Sequence, residues 1–269
     1  MPEFAFGSQP FLVGALTAIL FFHVVWIFAY AKKRNDYADV AWGIGFPVSG
    51  WAAFAWTYLA QDRTDWNLRT LVVCTLITIW GLRLFVHIGM RNLSHDKEDA
   101  RYAKWRQEWG DTQVWRSYVQ VFLLQGIILV IVNLPVLWII ASGSRELDVY
   151  LVGGTLIWLI GFIFESVGDA QLRAFTKNPA NKGKLIESGL WKYSRHPNYF
   201  GEVFQWWGVY AIALGVPGGW MTVVSPLAIT FLILKVSGVP MLEEQMKSRP
   251  GFKDYQRRVA KFFPRPPRS

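Results

Sequence analysis

The densest group of side chains able to do chemistry lies in one short run near residue 200. From 189 to 207 the sequence reads Gly-Leu-Trp-Lys-Tyr-Ser-Arg-His-Pro-Asn-Tyr-Phe-Gly-Glu-Val-Phe-Gln-Trp-Trp. Lys and Arg bind anionic groups, whereas amide and carboxylate side chains bind a carboxamide or the edge of a base. The run therefore predicts a site for an anionic cofactor, with Lys192 and Arg195 at its charged end and Asn198 and Glu202 at the other. A purely structural role, with the proline starting or stopping a helix, is the alternative.

A second set of ionisable side chains recurs at helical spacing. Glu165, Asp169 and Arg173 stand at i, i+4 and i+8, so a helix presents two carboxylates and a guanidinium on one face. Charged groups inside a bilayer are costly unless they are paired or face a wet cavity. The stripe therefore predicts either an ion pair between Asp169 and Arg173 or a binding face. A binding face would continue into donors suited to ribose hydroxyls and phosphate, namely Lys177, Asn178 and Asn181.

Candidate groups for a substrate carbonyl lie in the first half of the chain. Arg83 and His87 share a face of one apolar helix, and they either pair with acids such as Asp39 or Glu165 or polarise a bound carbonyl. Tyr37 and Asp39 lie at the start of another apolar helix. The acid either stabilises the positive end of that helix or, if burial keeps it protonated, donates a hydrogen bond to a substrate. The residues alone leave both interpretations open.

Several kinds of chemistry are excluded by what the sequence lacks. It has no G-x-G-x-x-G motif after a strand and no P-loop, so no Rossmann or Walker-type nucleotide fold is expected. Its four histidines are scattered without metal-ligand spacing, and we predict no metal site. Cys74 is the single cysteine and lies inside an apolar block, which excludes an intrachain disulfide and a thiolate cluster.

The elements that must position these residues are membrane helices. Of the 269 residues, 52% are hydrophobic and 17% are charged, and the apolar residues fall in long blocks. Each block has about twenty residues, the length at which a helix crosses a bilayer. We predict an all-α, polytopic membrane protein that forms a single integral membrane domain over 1–269. Its seven transmembrane helices are predicted at 9–31, 38–60, 69–90, 118–141, 149–170, 199–216 and 220–238.

Basic residues give the predicted orientation of these helices. Alternate connections, namely 32–34, 91–116, 171–198 and the tail after 239, carry 23 of the 28 Lys and Arg residues. Because cytoplasmic connections are rich in Lys and Arg, the N-terminus is predicted outside and the C-terminus in the cytoplasm. The excess of basic residues behind the net charge of +9 is accordingly expected to face an anionic membrane leaflet, and no nucleic-acid partner is expected.

The run Tyr-Ser-Arg-His-Pro-Asn-Tyr-Phe-Gly-Glu at 193–202 resembles the membrane superfamily of steroid 5α-reductases, C14 sterol reductases and isoprenylcysteine carboxyl methyltransferases. Together with the 165–173 stripe and the tail residues Glu243, Glu244, Tyr255, Phe263 and Pro264, it makes the C-terminal half similar to bacterial relatives of steroid 5α-reductase. The resemblance implies that NADPH binds beside helices 5–7 and the cytoplasmic loops 171–198 and 239–269, with helices 1–4 on the substrate side. The implied cofactor residues are Asp169, Arg173, Asn181, Tyr193, Arg195, His196, Asn198, Tyr199 and Glu202, to which the stripe adds Glu165, Lys177 and Asn178 and the tail adds Tyr255.

Charge gives separate support to NADPH over adenosylmethionine. A pyrophosphate with a 2′-phosphate carries roughly four negative charges. The 171–198 loop supplies six cations against one acid. The implied reaction is NADPH-dependent reduction of the 4,5 double bond of a 3-oxo-4-ene steroid, in which charge develops on the ketone oxygen and requires a donor. The candidate donors are Tyr37, Asp39, Arg83 and His87, because the family's glutamate on the second helix and tyrosine on the third have no identical counterparts here.

Two other classes of protein stay open at this point. One is an adenosylmethionine-dependent methyltransferase acting on a prenylated or other lipid-like acceptor, since the Arg-His-Pro run also occurs in that branch. The other is a lipid-binding or transport protein without catalysis. The expected partners are a steroid-like, lipid-soluble substrate and membrane lipids, without an obligatory protein partner. The expected location is the bacterial inner membrane.

Overall fold

The computed structural model describes residues 9–59, 67–93, 97–142 and 147–268. Within those ranges all regular structure is helical, and the β-type contact is an isolated bridge between Ser194 and Ala260. The all-α prediction is therefore confirmed for this part of the chain. Two compact units are present. Unit 1 is formed by Met1–Leu151 with Ile212–Thr222, and unit 2 by Val152–Ala211 with Val223–Ser269.

Unit 1 contains the helices of the N-terminal half. They are α1 (Gln9–Lys32), α2 (Tyr37–Leu59), α3 (Leu68–Leu93), α4 (Ala100–Trp109), α5 (Gln113–Ser117), α6 (Leu124–Val132) and α7 (Leu134–Ser142). A 3-10 turn at Gly110–Thr112 joins α4 to α5, and a π-helix at Tyr118–Leu123 joins α5 to α6. The chain is consequently helical without interruption from Ala100 to Val132.

Small and polar residues set the packing of unit 1. α2 lies against α1 and α3, and α7 contacts all three. A Cβ atom on Gly43 of α2 would lie only 2.6 Å from the carbonyl oxygen of Gly81 on α3, so this crossing requires glycine. The helix breaks at Asn133, which is fully buried and donates to the hydroxyl of Ser49 at 3.2 Å. The single helix predicted at 118–141 is therefore two helices that meet at a polar joint.

Unit 2 contains most of α8 (Val149–Lys177) and of α9 (Pro197–Ala213), together with α10 (Val224–Phe231), α11 (Val239–Met246) and α12 (Phe252–Arg258). α8 extends well beyond the predicted end at 170, because its polar stripe keeps the helical spacing after the apolar block ends. The span predicted at 220–238 falls within the helical run Gly219–Met246, which contains a π-helix at Leu232–Val236 after α10.

Five helical segments of the described ranges are long and apolar enough to cross a membrane. They are Gln9–Lys32, Leu68–Asn92, Ala100–Val132, Val149–Lys177 and Gly219–Met246. The predicted spans 38–60 and 199–216 are also helical, as α2 and α9, but they are not among the five. α2 is rich in Gly, Trp and Tyr, which have low hydropathy, and α9 has only 17 residues. The seven-span count stays a prediction.

Candidate functional site

In unit 2, helices α8 and α9 meet along a row of glycines. Gly154, Gly161 and Gly168 recur at every seventh residue of α8, as do Gly201 and Gly208 of α9. A Cβ atom on Gly161 would lie 2.6 Å from the carbonyl oxygen of Gly201. Because no side chain separates the backbones there, polar side chains next to the glycines reach across from one helix to the other.

Two pairs of polar side chains join α8 to α9. The Gln205 amide donates to the carboxylate of Glu165, and both side chains are buried, with 2% and 3% exposure. The Asn198 amide donates to Asp169 Oδ1 at 3.0 Å. The two carboxylates of the predicted stripe therefore lie on the face of α8 that meets α9, whereas Arg173, the third member, is exposed.

Arg195, at the turn before α9, is engaged on every nitrogen of its guanidinium. Nε and Nη2 donate to Glu243 Oε1 at 2.8 and 2.6 Å. Nη1 donates to the carbonyl oxygens of Gln256 at 3.1 Å and Val259 at 2.8 Å. The side chain is buried. In this structure its donors bind the protein itself, so a cofactor phosphate would have to displace Glu243 or a backbone carbonyl.

The neighbouring His196 is fully buried. Its Nε2 lies 3.4 Å from Glu243 Oε1, and its ring stacks on Tyr199 at a centroid distance of 5.9 Å. Burial lowers the pKa of His196 below its ordinary value; Glu243 opposes this shift, and the charges of Arg195 and Lys261 add to it. The imidazole is therefore neutral at pH 7.

Buried polar atoms that lack a hydrogen-bond partner within the ranges that the structure describes include His196 Nδ1, Asn198 Oδ1 and Gln205 Oε1. Buried polar atoms in folded proteins are nearly always satisfied, and those that are not mark sites for water, ions or ligands. These atoms offer hydrogen bonds to a polar group bound beside the start of α9.

A C-terminal segment, which we call the strap (residues 259–268), is hydrogen-bonded to the turn before α9. The Arg195 amide donates to the Ala260 carbonyl at 2.9 Å, and the Ser194 hydroxyl donates to the Phe262 carbonyl at 2.7 Å. Just before the strap, the buried Tyr255 hydroxyl donates to the Trp191 carbonyl at 2.7 Å, and burial raises the pKa of this phenol. Tyr255 thus supports the turn from within a small apolar core.

The remaining predicted cofactor residues of unit 2 lie nearer the surface. Asn178 accepts a bond from the Ala180 amide and Asn181 donates to the Phe175 carbonyl, so both amides shape the turn after α8. Tyr199 and Glu202 on α9 are half-buried. Exposed side chains that can meet an anion or a ring in solution are Arg173, Lys177, Lys182, Lys184, Lys192 and Tyr193.

In unit 1, Asp39 is held by two residues of α4. It accepts a 2.6 Å hydrogen bond from the Tyr102 hydroxyl and a 2.9 Å ion-paired bond from Arg101 Nη2. Asp99 caps α4 and binds the same arginine; burial raises its pKa, but the bonds from Arg101 outweigh this and lower it overall. Tyr37 packs edge-on against Phe28 at 4.9 Å. Arg83 and His87 are half-buried, one turn apart on α3.

Sequence reasoning did not place four of these residues in a site. In the sequence, Gln205 is only a polar residue that follows the Arg-His-Pro run, and Glu243 is only an acid of the tail that contributes to the resemblance. Nothing in their spacing pairs them with Glu165 or Arg195. Arg101 and Tyr102 fall in a connection whose mixture of basic and aromatic residues suits an interfacial helix. The partners lie 40 to 63 positions away in the chain, so helical spacing carries no signal of these contacts.

Comparison with known proteins places the chain in a family. The model of DUF1295, described as a protein of unknown function, matches residues 25–259. The chain belongs to the DUF1295 family. An uncharacterized protein of Schizosaccharomyces pombe is 23% identical over 98% of this chain and 82% of its own length.

Two relatives with named activities match shorter parts of this DUF1295 chain. A probable O-methyltransferase of Ustilaginoidea virens is 33% identical over 110 residues, 40% of this chain and 37% of that protein. The 3-oxo-5-alpha-steroid 4-dehydrogenase 1 of Bos taurus is 34% identical over 84 residues, 31% of this chain and 32% of that protein. The matches thus span about a third of each. No solved structure matches.

Proposed function

We propose that this DUF1295 protein is an NADPH-dependent membrane reductase acting on the 4,5 double bond of a 3-oxo-4-ene steroid or a similar lipid-soluble enone. One observation carries the proposal: unit 2 combines exposed cations on 173–192 with buried, unpartnered polar atoms at the start of α9. The cations suit phosphates, and the buried atoms suit a carboxamide or a base. The partial similarity to a steroid dehydrogenase agrees with this donor set.

Within unit 2, we assign the phosphates to Arg173 and Lys177 together with the exposed lysines of the following loop. Arg195 has a different role in the proposal, because its donors are already bound by Glu243 and two carbonyl oxygens. It holds the turn in shape, while Asn198 and His196 present their unpartnered atoms to the cofactor. The remaining predicted residues, including Tyr199 and Glu202, complete the wall of the site.

The proposed substrate end lies in unit 1, where Arg101 and Tyr102 supply two donors beside Asp39. A ketone oxygen that gains negative charge is stabilised by donors already held in place. Asp39 holds both side chains in place. Arg101 has further N–H groups for the ketone oxygen, whereas the Tyr102 hydroxyl would have to transfer its single hydrogen bond from Asp39 to that oxygen. Tyr37, Arg83 and His87 stay candidates for the same role. NADPH, held by the cofactor residues named above, would supply the hydride for reduction of the enone, and solvent or a nearby acid would supply the proton.

The setting of the reaction is also part of the proposal. We propose seven spans, with the N-terminus outside and the loops that carry the cofactor residues in the cytoplasm, where NADPH is available. The Lys and Arg bias of the alternate connections supports this orientation. The substrate would enter from the bilayer, and surrounding lipids would be its solvent.

A test of the cofactor end compares nucleotides in the detergent-purified protein. Arg173→Ala should weaken NADPH binding roughly ten- to a hundredfold, because a hydrogen bond to a charged group contributes about 1.5–3 kcal/mol. NADH binding should change far less, because NADH lacks the 2′-phosphate to which we assign Arg173. Arg257→Ala is the matched control, since Arg257 is an exposed cation on α12 paired with Asp254 at 3.5 Å. An equal loss of affinity for NADPH and NADH would exclude a contact between Arg173 and the 2′-phosphate.

The reaction itself is tested by incubation with NADPH and a 3-oxo-4-ene steroid. A product heavier by two hydrogens, formed with loss of nicotinamide absorbance, would support the reductase. Tyr102→Phe should lower turnover about a hundredfold, the typical effect of removing one donor to a developing oxyanion, with NADPH affinity unchanged. Unchanged turnover in that variant would exclude Tyr102 from the substrate end.

The second candidate is an adenosylmethionine-dependent methyltransferase with a lipid-like acceptor. Its support is the longer of the two partial matches, the one to a probable O-methyltransferase. Adenosylmethionine carries no phosphate, so this function leaves the exposed cations of 173–192 without a role. Binding of adenosylmethionine in place of NADPH, measured calorimetrically, would decide for this candidate and against the reductase.

A further inference from the structure

The strap holds one phenylalanine inside the protein and the next one outside. Phe262 is 7% exposed, whereas Phe263 is 72% exposed. The backbone is fixed on both sides of this pair, by the bond from the Arg195 amide to the Ala260 carbonyl at 2.9 Å and by the bond from the Arg265 amide to the Tyr193 carbonyl at 3.1 Å. The exposure of Phe263 is therefore imposed by the fold and is not the result of a loose end.

The charges of the strap all have one sign. Lys261, Arg265 and Arg268 are exposed, and the segment contains no acid. The ion pairs found in the described ranges involve none of the three. Three prolines, at positions 264, 266 and 267, keep this part of the chain extended, so the cations are spread over roughly 20 Å. A single phosphate is bound by cations that converge, whereas these suit a surface that carries many anions.

Phe263 also continues a row of aromatic rings on helices α8 and α9 of unit 2. Its ring lies 6.0 Å from that of Phe200 on α9. Phe200 in turn packs on Phe164 of α8 at 5.2 Å and on Phe204 at 5.3 Å. The exposed ring is thus the outer end of an apolar row that runs along two helices. Aromatic rings at such ends occupy the boundary between acyl chains and headgroups.

We propose that the strap is a lipid-binding surface, which inserts Phe263 into the headgroup boundary of an anionic leaflet and places Lys261, Arg265 and Arg268 on lipid phosphates. An exposed phenylalanine beside cations gains apolar burial and electrostatic attraction together at such a surface. Because the strap is hydrogen-bonded to Tyr193, Ser194 and Arg195, lipid binding would stabilise the turn before α9. The proposal does not depend on which cofactor or substrate the protein uses.

The test places a fluorophore at the proposed point of insertion. Phe263→Cys is labelled with an environment-sensitive dye in the full chain, and the only other cysteine, Cys74, is fully buried. The protein is reconstituted in nanodiscs of phosphatidylcholine, with or without phosphatidylglycerol. We expect quenching by lipids brominated near the headgroup, protection from aqueous iodide, and a larger effect with phosphatidylglycerol. Pro266→Cys is the alternative labelling site if Phe263→Cys does not fold.

Two controls separate insertion from a general effect. A dye on Lys253→Cys, an exposed position of α12, should be quenched by iodide in both membranes. Changing Lys261, Arg265 and Arg268 to Gln should abolish the difference in quenching between membranes with and without phosphatidylglycerol. Each cation near an anionic surface increases the affinity for that surface about fivefold. Iodide quenching at 263 equal to that at 253 would overturn the proposal. A dye response to NADPH or pyrophosphate but not to lipid would also overturn it, in favour of a nucleotide site.

Discussion

Glu243→Gln removes the negative charge opposite the buried guanidinium of Arg195. Two hydrogen bonds of 2.8 and 2.6 Å join the side chains, which have only 7% and 14% exposure. Glutamine retains an oxygen that can accept one of these bonds, but it leaves the arginine without its counter-charge. The turn before α9 then carries a buried cation whose remaining partners, the glutamine oxygen and the carbonyl oxygens of Gln256 and Val259, are all uncharged.

The expected loss of stability in Glu243→Gln depends on which hydrogen bonds Arg195 keeps. Removing one partner of a buried pair costs about 3–5 kcal/mol when the other is left uncompensated. Because two carbonyl bonds to Arg195 persist, we expect the lower end of that range, about 3 kcal/mol of unfolding free energy. The assay is chemical unfolding in detergent micelles, followed by tryptophan fluorescence. Trp191 lies four residues before the arginine and is buried, so it reports on this turn.

Glu244→Gln provides a matched control one residue away. Its side chain is 70% exposed and pairs only with the exposed Lys247, so its loss should leave stability unchanged. A double variant, Arg195→Met with Glu243→Met, should be more stable than Glu243→Gln, because apolar replacement of both partners removes the uncompensated charge. Equal effects of Glu243→Gln and Glu244→Gln, or a double variant less stable than the single one, would refute the reasoning.

Two further predictions concern the same unit. Gly161→Val should destabilise the protein by about 1–3 kcal/mol, because the new side chain forces α8 away from α9. Gly153→Val should be tolerated, since a Cβ atom at that position meets nothing within 4 Å. Similar unfolding midpoints for the two variants would contradict this prediction. Burial lowers the pKa of His196, so the unfolded state binds the proton more tightly than the folded state. The free energy of unfolding should therefore fall as the pH drops below about 6.5, by at most about 1.4 kcal/mol per pH unit. His196→Gln should make the free energy of unfolding less dependent on pH in this range. An unchanged pH dependence would mean that other groups cause it.

The positions of the helices were predictable from composition, because a long apolar block specifies a helix wherever it occurs. α8 begins at Val149 as predicted, and α2 begins at Tyr37, one residue before its predicted start. Spacing also placed Glu165 and Asp169 on one face, since residues four apart always share a face of a helix. The interruption at Asn133 was not predictable, because asparagine is compatible with a continuous apolar helix unless the partner that binds it is known.

Partners that are distant in the chain could not be predicted from one sequence. Tyr102 meets Asp39 because α4 lies against the start of α2, and Glu243 meets Arg195 because α11 and α12 lie against the turn. The residue types indicate that charges must be neutralised, but several cations and acids were available for each. Arg195 is an example. Its residue type and position predict phosphate binding, whereas in the folded protein its N–H groups donate to Glu243 and to backbone carbonyl oxygens.

The strap also determines when the candidate site can be completed during synthesis. Arg195 and the Val259 carbonyl that it binds are 64 residues apart. At roughly 5–20 residues per second, a ribosome needs about 3–13 s to make that interval. Until then the arginine lacks a carbonyl that it binds in the folded protein, so we expect the segment before α9 to stay hydrated. A nascent chain stalled before Val259 should therefore expose this segment to protease, and release of the strap from the ribosome should protect it.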